Sequence, residues 1–213
     1  MEINSDMMTT LAAHHTPDGS TSFFVLHDGT ATWGIPGEPQ LIALHLARDN
    51  TARTFTADLV RLPLPSMAQS WLIKRGCPAD AIALKRGIGT KPAHETTAAL
   101  ERQLMSDGDN FALLFSYTED SGPKPQITVL LRALDERTPY PYRVLLEEVD
   151  TGTWTHTLRE GGFETFEAAD AWLEDRATPL PAPPPLRATG ARTPAAPARP
   201  PAATTGPRPG RSR

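Results

Sequence analysis

The chain has 213 residues, 21 Lys and Arg against 25 Asp and Glu, and one cysteine, Cys77. A single thiol excludes an intrachain disulfide and fits a reducing compartment, and no apolar run approaches the ~18–20 residues needed to span a bilayer. The net charge of −4 conceals a division: residues 176–213 hold seven arginines, eleven of the 22 prolines and no acidic residue, which leaves residues 1–175 with 14 Lys and Arg against 25 acids, a net of −11.

Residues 1–20 mix Asn, Asp, Thr, Pro and Gly without periodicity and are expected to be flexible. They lack the positive start and apolar run of a signal peptide, so a cytoplasmic address is the expectation. Strand signals begin at 21–27, Asp28-Gly29 marks a turn, and 30–33 is predicted to return as a partner strand. A Gly/Pro loop covers 34–39. Residues 40–48 and 51–62 read as strands across Asp49-Asn50, with Phe55 and Leu59 sharing a face.

Helix signals follow. Ser66-x-x-Gln69 has the form of a capping box, predicting a helix over 67–75 that stops at Gly76. Pro78 suits the first turn of a second short helix over 78–86. A loop at 87–91 leads to a longer helix over 92–105, apolar at Ala93, Thr97, Leu100 and Leu104. Strands are then expected at 111–118 and 126–134, the second with an apolar run dense enough to be buried on both faces. A hairpin over 142–149 and 153–159 turns at Asp150-Thr151-Gly152. Gly161-Gly162 is expected to break its second strand, and Thr165 to begin a helix over 166–175. The fold class is therefore α+β: antiparallel meanders in one sheet or two, with helices packed on one side. The body spans 21–176, with possible lobes at 21–72 and 111–175 joined by a helical connector over 73–110. A basic, proline-rich tail over 177–213 is expected to be disordered.

Two readings are open for the two lobes: an internal duplication, or two unrelated hairpin–helix units of similar composition. Shifting the chain by 101 residues aligns 44–72 with 145–173 without a gap, and seven of the 29 positions are identical, including Asp49/Asp150, Ala68/Ala169, Trp71/Trp172 and Leu72/Leu173; composition alone gives roughly two. Both segments read strand, Asp-led turn, Thr-rich strand, breaker, then a helix ending Ala-x-x-Trp-Leu.

Chemistry is sparser. The six histidines (14, 15, 27, 45, 94 and 156) show no metal-ligand spacing, and no Gly-x-Ser-x-Gly elbow is present. Neither metal nor cofactor is expected. Glu147-Glu148 point to opposite faces of a strand and do not form a working pair by themselves. Cys77, with no histidine near it in sequence, reads as a small packing residue. The body's basic cluster is Lys74, Arg75, Lys85, Arg86 and Lys91, around Gly87-Ile88-Gly89-Thr90-Lys91, which lacks phosphate-loop spacing. Cations at helix C-termini complement exposed carbonyls. The same five residues are also candidates for an anion or nucleic-acid surface, and the two short helices around Gly76-Cys77 resemble a helix-turn-helix. Residues Arg143-Val144, Thr153-Trp154, Gly162-Phe163-x-Thr165 and Ala168-Ala169-x-x-Trp172-Leu173 resemble the arm-binding domain of tyrosine recombinases, which implies a three-stranded sheet backed by a helix. That family grips DNA through a basic sheet. Here Glu147, Glu148, Asp150, Glu160 and Glu164 stand in the unit, so the likeness extends to shape and not to DNA binding.

The expected function is that of a non-catalytic interaction or accessory protein, with a protein as partner. The alternatives are a nucleic-acid-associated factor using the 74–91 cluster and the tail, and an enzyme whose site is scattered along the chain. No membrane association is expected.

Overall fold

The computed structural model describes residues 7–122 and 124–182. Residues 1–6 and the greater part of the basic tail, 183–213, lie outside the described residues. Two sheets organise the chain. The first is an antiparallel meander of β1 (Met8–His15), β2 (Thr21–Asp28), β3 (Leu41–Asp49) and β4 (Thr54–Leu62) in that order. The second contains β5 (Lys91–Pro92), β6 (Phe111–Glu119), β7 (Gln126–Ala133), β8 (Tyr142–Asp150) and β9 (Thr155–Phe163), in the order β5-β9-β8-β7-β6. Only the two-residue β5 runs parallel to its neighbour. The helices are α1 (Ala31–Gly34), α2 (Pro65–Lys74), α3 (Glu95–Asp107) and α4 (Phe166–Glu174). Among the described residues no helix is long and apolar enough to cross a membrane.

The repeat at 101 residues is structural. Strands β3 and β4 and the start of α2 recur as β8, β9 and the start of α4 at that one offset. Even the hairpin turns coincide. Asp49 Oδ1 accepts hydrogen bonds from the backbone N–H groups of Thr51 and Ala52, and Asp150 Oδ1 from those of Gly152 and Thr153. The left-handed residue each turn requires is Arg53 in one (φ 53°) and Trp154 in the other (φ 54°). That conformation is uncommon for residues other than glycine and is imposed here by the same Asp-led loop twice.

Side-chain alternation builds the core. Phe23, Val25, Ala43 and Leu62 of the first sheet pack with Met67, Ala68 and Leu72 of α2. The same cluster continues through Leu104 of α3 to Val129, Leu131, Leu145 and Leu158 of the second sheet. The opposite face of the second sheet presents Leu130, Val144, Leu146 and Phe163 to Ala169 and Trp172 of α4. The apolar run in β7 is thus buried on both faces, as its composition predicts. Thr165 caps α4 by accepting a hydrogen bond from Ala168 N.

Several local expectations are corrected. Residues 8–15, expected to be flexible, form β1, because pairing with β2 organises a segment that has little strand periodicity of its own. Residues 31–34 form a short helix instead of a return strand, and β2 pairs with β3. Ser66 and Gln69 make no capping box: the helix starts at Pro65, and Gln69 Nε2 donates to Ile82 O at 2.8 Å. The second short helix shrinks to a 3-10 turn, Ala79–Ile82, which leaves no recognition helix at that place. Strand β9 runs through Gly161-Gly162 to Phe163. A Cβ at Gly161 would stand 2.6 Å from Leu180 Cδ2 and 3.2 Å from Pro181 O, so the glycine lets the 180–181 segment lie close to β9. The start of the tail, at Leu180, therefore packs beside α4. The recombinase-like unit is part of a sheet of five strands, where the likeness implies three.

Cys77 is buried in the core beside Leu72 and Ile82. Burial, then the charge of Asp80, pushes its thiol up to about 11 from 9.0. Alkylation by iodoacetamide at neutral pH is expected to be about 100-fold slower in the folded chain than in denaturant, as the smaller thiolate fraction requires. Equal rates would show that the thiol is open to solvent.

Candidate functional site

A cleft of about 830 Å³ opens between the two sheets. Its volume falls within the range of small-molecule sites. Leu11, Leu41, Ile127 and Val149 contribute apolar wall, and Leu84, Ile88 and Trp154 stand toward its mouth. The turn shared by both repeats carries Trp154, which is 65% exposed, to this rim.

The polar floor comes from three elements. Glu147 on β8 and His156 on β9 are buried, and Glu101 on α3 meets them. His156 Nε2 donates to Glu101 Oε1 at 2.9 Å, while its Nδ1 lies 2.9 Å from Thr90 Oγ1. Strand β5 sets this geometry: Lys91 N donates to Trp154 O and Ala93 N to His156 O, pinning Thr90 against the ring. Burial pushes the Glu147 carboxyl up to about 7; the nearby His156 opposes that shift and Glu101 adds to it. Burial of His156 disfavours its charged form, but the hydrogen bond to Glu101 and the charges of Glu147 and Glu101 outweigh it and raise its pKa. The cluster thus sets the imidazole beside two carboxyl groups, of which Glu147 titrates near neutrality. Thr118 also lines the cleft, and its buried hydroxyl has no hydrogen-bond partner among the described residues.

The five basic residues expected to form one surface are divided. Lys85 and Arg86, on the loop before β5, and Lys91, the first residue of β5, line the cleft, exposed, with no ion pair or side-chain hydrogen bond among the described residues. Arg75 does not join them. Its Nε donates to Asp58 at 2.7 Å, and its guanidinium carbon lies 3.3 Å from the centroid of the Trp71 ring. Lys74, in the last turn of α2, is also outside the cleft lining. The acidic wall is already engaged: Asp120 accepts from Thr32 and Gln40, and Glu119 from Ser121. Lys85, Arg86 and Lys91 are thus the cleft's lysines and arginines, each without an ion pair among the described residues.

Sequence reasoning missed Glu101 and His156 as a pair, since 55 residues separate them and neither stands in a motif. The one available signal was a carboxylate, Glu147, among apolar β8 neighbours. Among the described residues, no group of three or more His, Cys, Asp or Glu is arranged to hold a metal ion. No protein-family model, curated protein or solved structure matches the chain.

Proposed function

We propose that this is a non-catalytic accessory protein that binds a small anionic amphiphile in the cleft between its sheets. The observation that carries this reading is the cleft's arrangement: apolar walls, a polar floor, and at its mouth three cations without ion pairs among the described residues. An acyl or ring system fits the walls, where burial stabilises it by about 25 cal/mol per Å². Its anionic group meets Lys85, Arg86 and Lys91, and a hydroxyl or carbonyl at its far end finds Thr118 and Glu147.

A binding role is favoured over catalysis by the state of His156. Both ring nitrogens are engaged, Nε2 with Glu101 and Nδ1 with Thr90, which leaves neither free to take a proton from a bound molecule. The nucleic-acid reading draws less support, since two of the five cations stand apart and the cleft walls are apolar.

Titration with decanoate, decanol and decyltrimethylammonium tests the proposal, because the three share a chain and differ in head charge. Decanoate is expected to bind saturably with one site per chain, at least about tenfold tighter than either analogue. That margin follows from one charge-assisted contact of about 1.5–3 kcal/mol. Replacing Lys85, Arg86 and Lys91 by Gln should erase the preference. Equal binding of all three probes, or a preference that survives the replacement, would count against the proposal.

A further inference from the structure

The two repeats differ in what covers their sheets. In the second unit the face of β8 bearing Arg143, Leu145 and Glu147 is buried, and Arg143 pairs with Glu160 of β9 and Asp107 of α3. The matching positions of β3, 101 residues earlier, are Ile42, Leu44 and Leu46. Register adds Phe24 and Leu26 of β2 and Leu59 of β4 to the same face. None of these six is buried, and none belongs to the hydrophobic clusters that join the sheets to the helices. An antiparallel sheet with one solvated face ordinarily alternates apolar and polar residues. Strands β2 and β3 do not: their outer positions are as apolar as their inner ones. Phe55, on the same face near the end of edge strand β4, is 70% exposed, and Leu59 is 60% exposed.

We propose that this face is the contact of a two-fold homodimer, formed by sheet-on-sheet packing of two copies of the chain. Size and charge select the second copy as occupant. Four strands at ~4.8 Å spacing and about seven residues at ~3.3 Å rise give a footprint on the order of 400 Å². Side-chain relief and the rim bring the contact toward the ~800 Å² per partner of standard interfaces. The two ends of the face are also complementary. At one end Arg48 donates to Ser22 Oγ at 2.7 Å and to Gly19 O at 3.4 Å, and it has no carboxylate partner among the described residues. At the other, Asp28 and Glu38 flank a single Arg61, leaving one negative charge in excess. A two-fold axis lying across the strands sets each Arg48 end on the partner's acidic end. A second identical face supplies both the apolar centre and the opposite charge.

Sedimentation equilibrium of the full chain tests this. Twice the 23.1 kDa chain mass is expected at about 50 µM. Leu59→Asp should weaken the dimer at least about 30-fold, as a charge pressed against the partner's apolar face requires. Because Leu59 is largely exposed, the variant should keep the circular dichroism and cooperative melting of the parent. Arg48→Glu should weaken dimerisation, and adding Glu38→Arg should restore it. A monomer at that concentration would overturn the proposal, as would a dimer indifferent to both Leu59→Asp and Phe55→Asp. A dimer lost when residues 183–213 are removed would overturn it too, by assigning the contact to that segment.

Discussion

Between pH 4.5 and about 7 the chain is expected to lose stability as pH rises, on the order of 3 kcal/mol from Glu147 alone. The folded carboxyl holds its proton to about 7, whereas the unfolded one releases it near 4.5. Across that window the folded state binds more protons, so the slope of unfolding free energy with pH is negative. His156 acts in the same direction: its pKa is raised in the fold, so its stabilisation is present below 6.5 and fades as pH passes the raised value. Asp28 and Asp150 act elsewhere. Burial resists the ionisation of Asp28, but Arg61 and Thr30 hold its pKa down, while backbone N–H groups lower that of Asp150; both stabilise above their ordinary 3.8 and lose this below it. Glu147→Gln should flatten the profile between pH 5 and 8 and raise stability at pH 8. Urea unfolding of parent and variant at four pH values reads this directly. Parallel profiles would mean that Glu147 titrates as an exposed carboxylate does.

The second large effect compares equivalent positions in the repeat. Leu145→Ala removes a fully buried side chain between the second sheet and the helical layer and is expected to cost about 2–5 kcal/mol. Leu44, its counterpart 101 residues earlier, stands on the open face of the first sheet. In dilute monomer, Leu44→Ala should cost well under half as much, because little transfer free energy and no enclosed cavity are involved. Equal losses at the two sites would show that the first face is covered within one chain.

Much of the architecture was legible in the sequence because it rests on local chemistry. Asp-led turns, the Thr165 cap and the Ala-x-x-Trp-Leu helices follow from neighbouring residues, and their recurrence exposed the repeat. What escaped depends on contacts distant in sequence. Strand β1 has weak propensity and exists through β2; Gln69 serves Ile82 instead of its own helix end. Gly161-Gly162 reads as a breaker until the neighbouring Leu180-Pro181 segment is seen to need the space. Gly37 is similar: at φ 81°, with a Cβ position 2.3 Å from the Tyr117 ring, it lets the loop of the first unit join Thr118 of the second. The site was half legible. Loop cations 85, 86 and 91 were visible as charge, whereas the Glu101–His156 contact forms only when α3 lies along β9.

Backbone amide shifts recorded by NMR during decanoate titration test the cleft as the binding site most directly. Shifts concentrated at 84–91, 118–120 and 147–156 are predicted, with saturation at one equivalent. Shifts confined instead to 22–26, 42–46 and 55–59, the open sheet face, would contradict it.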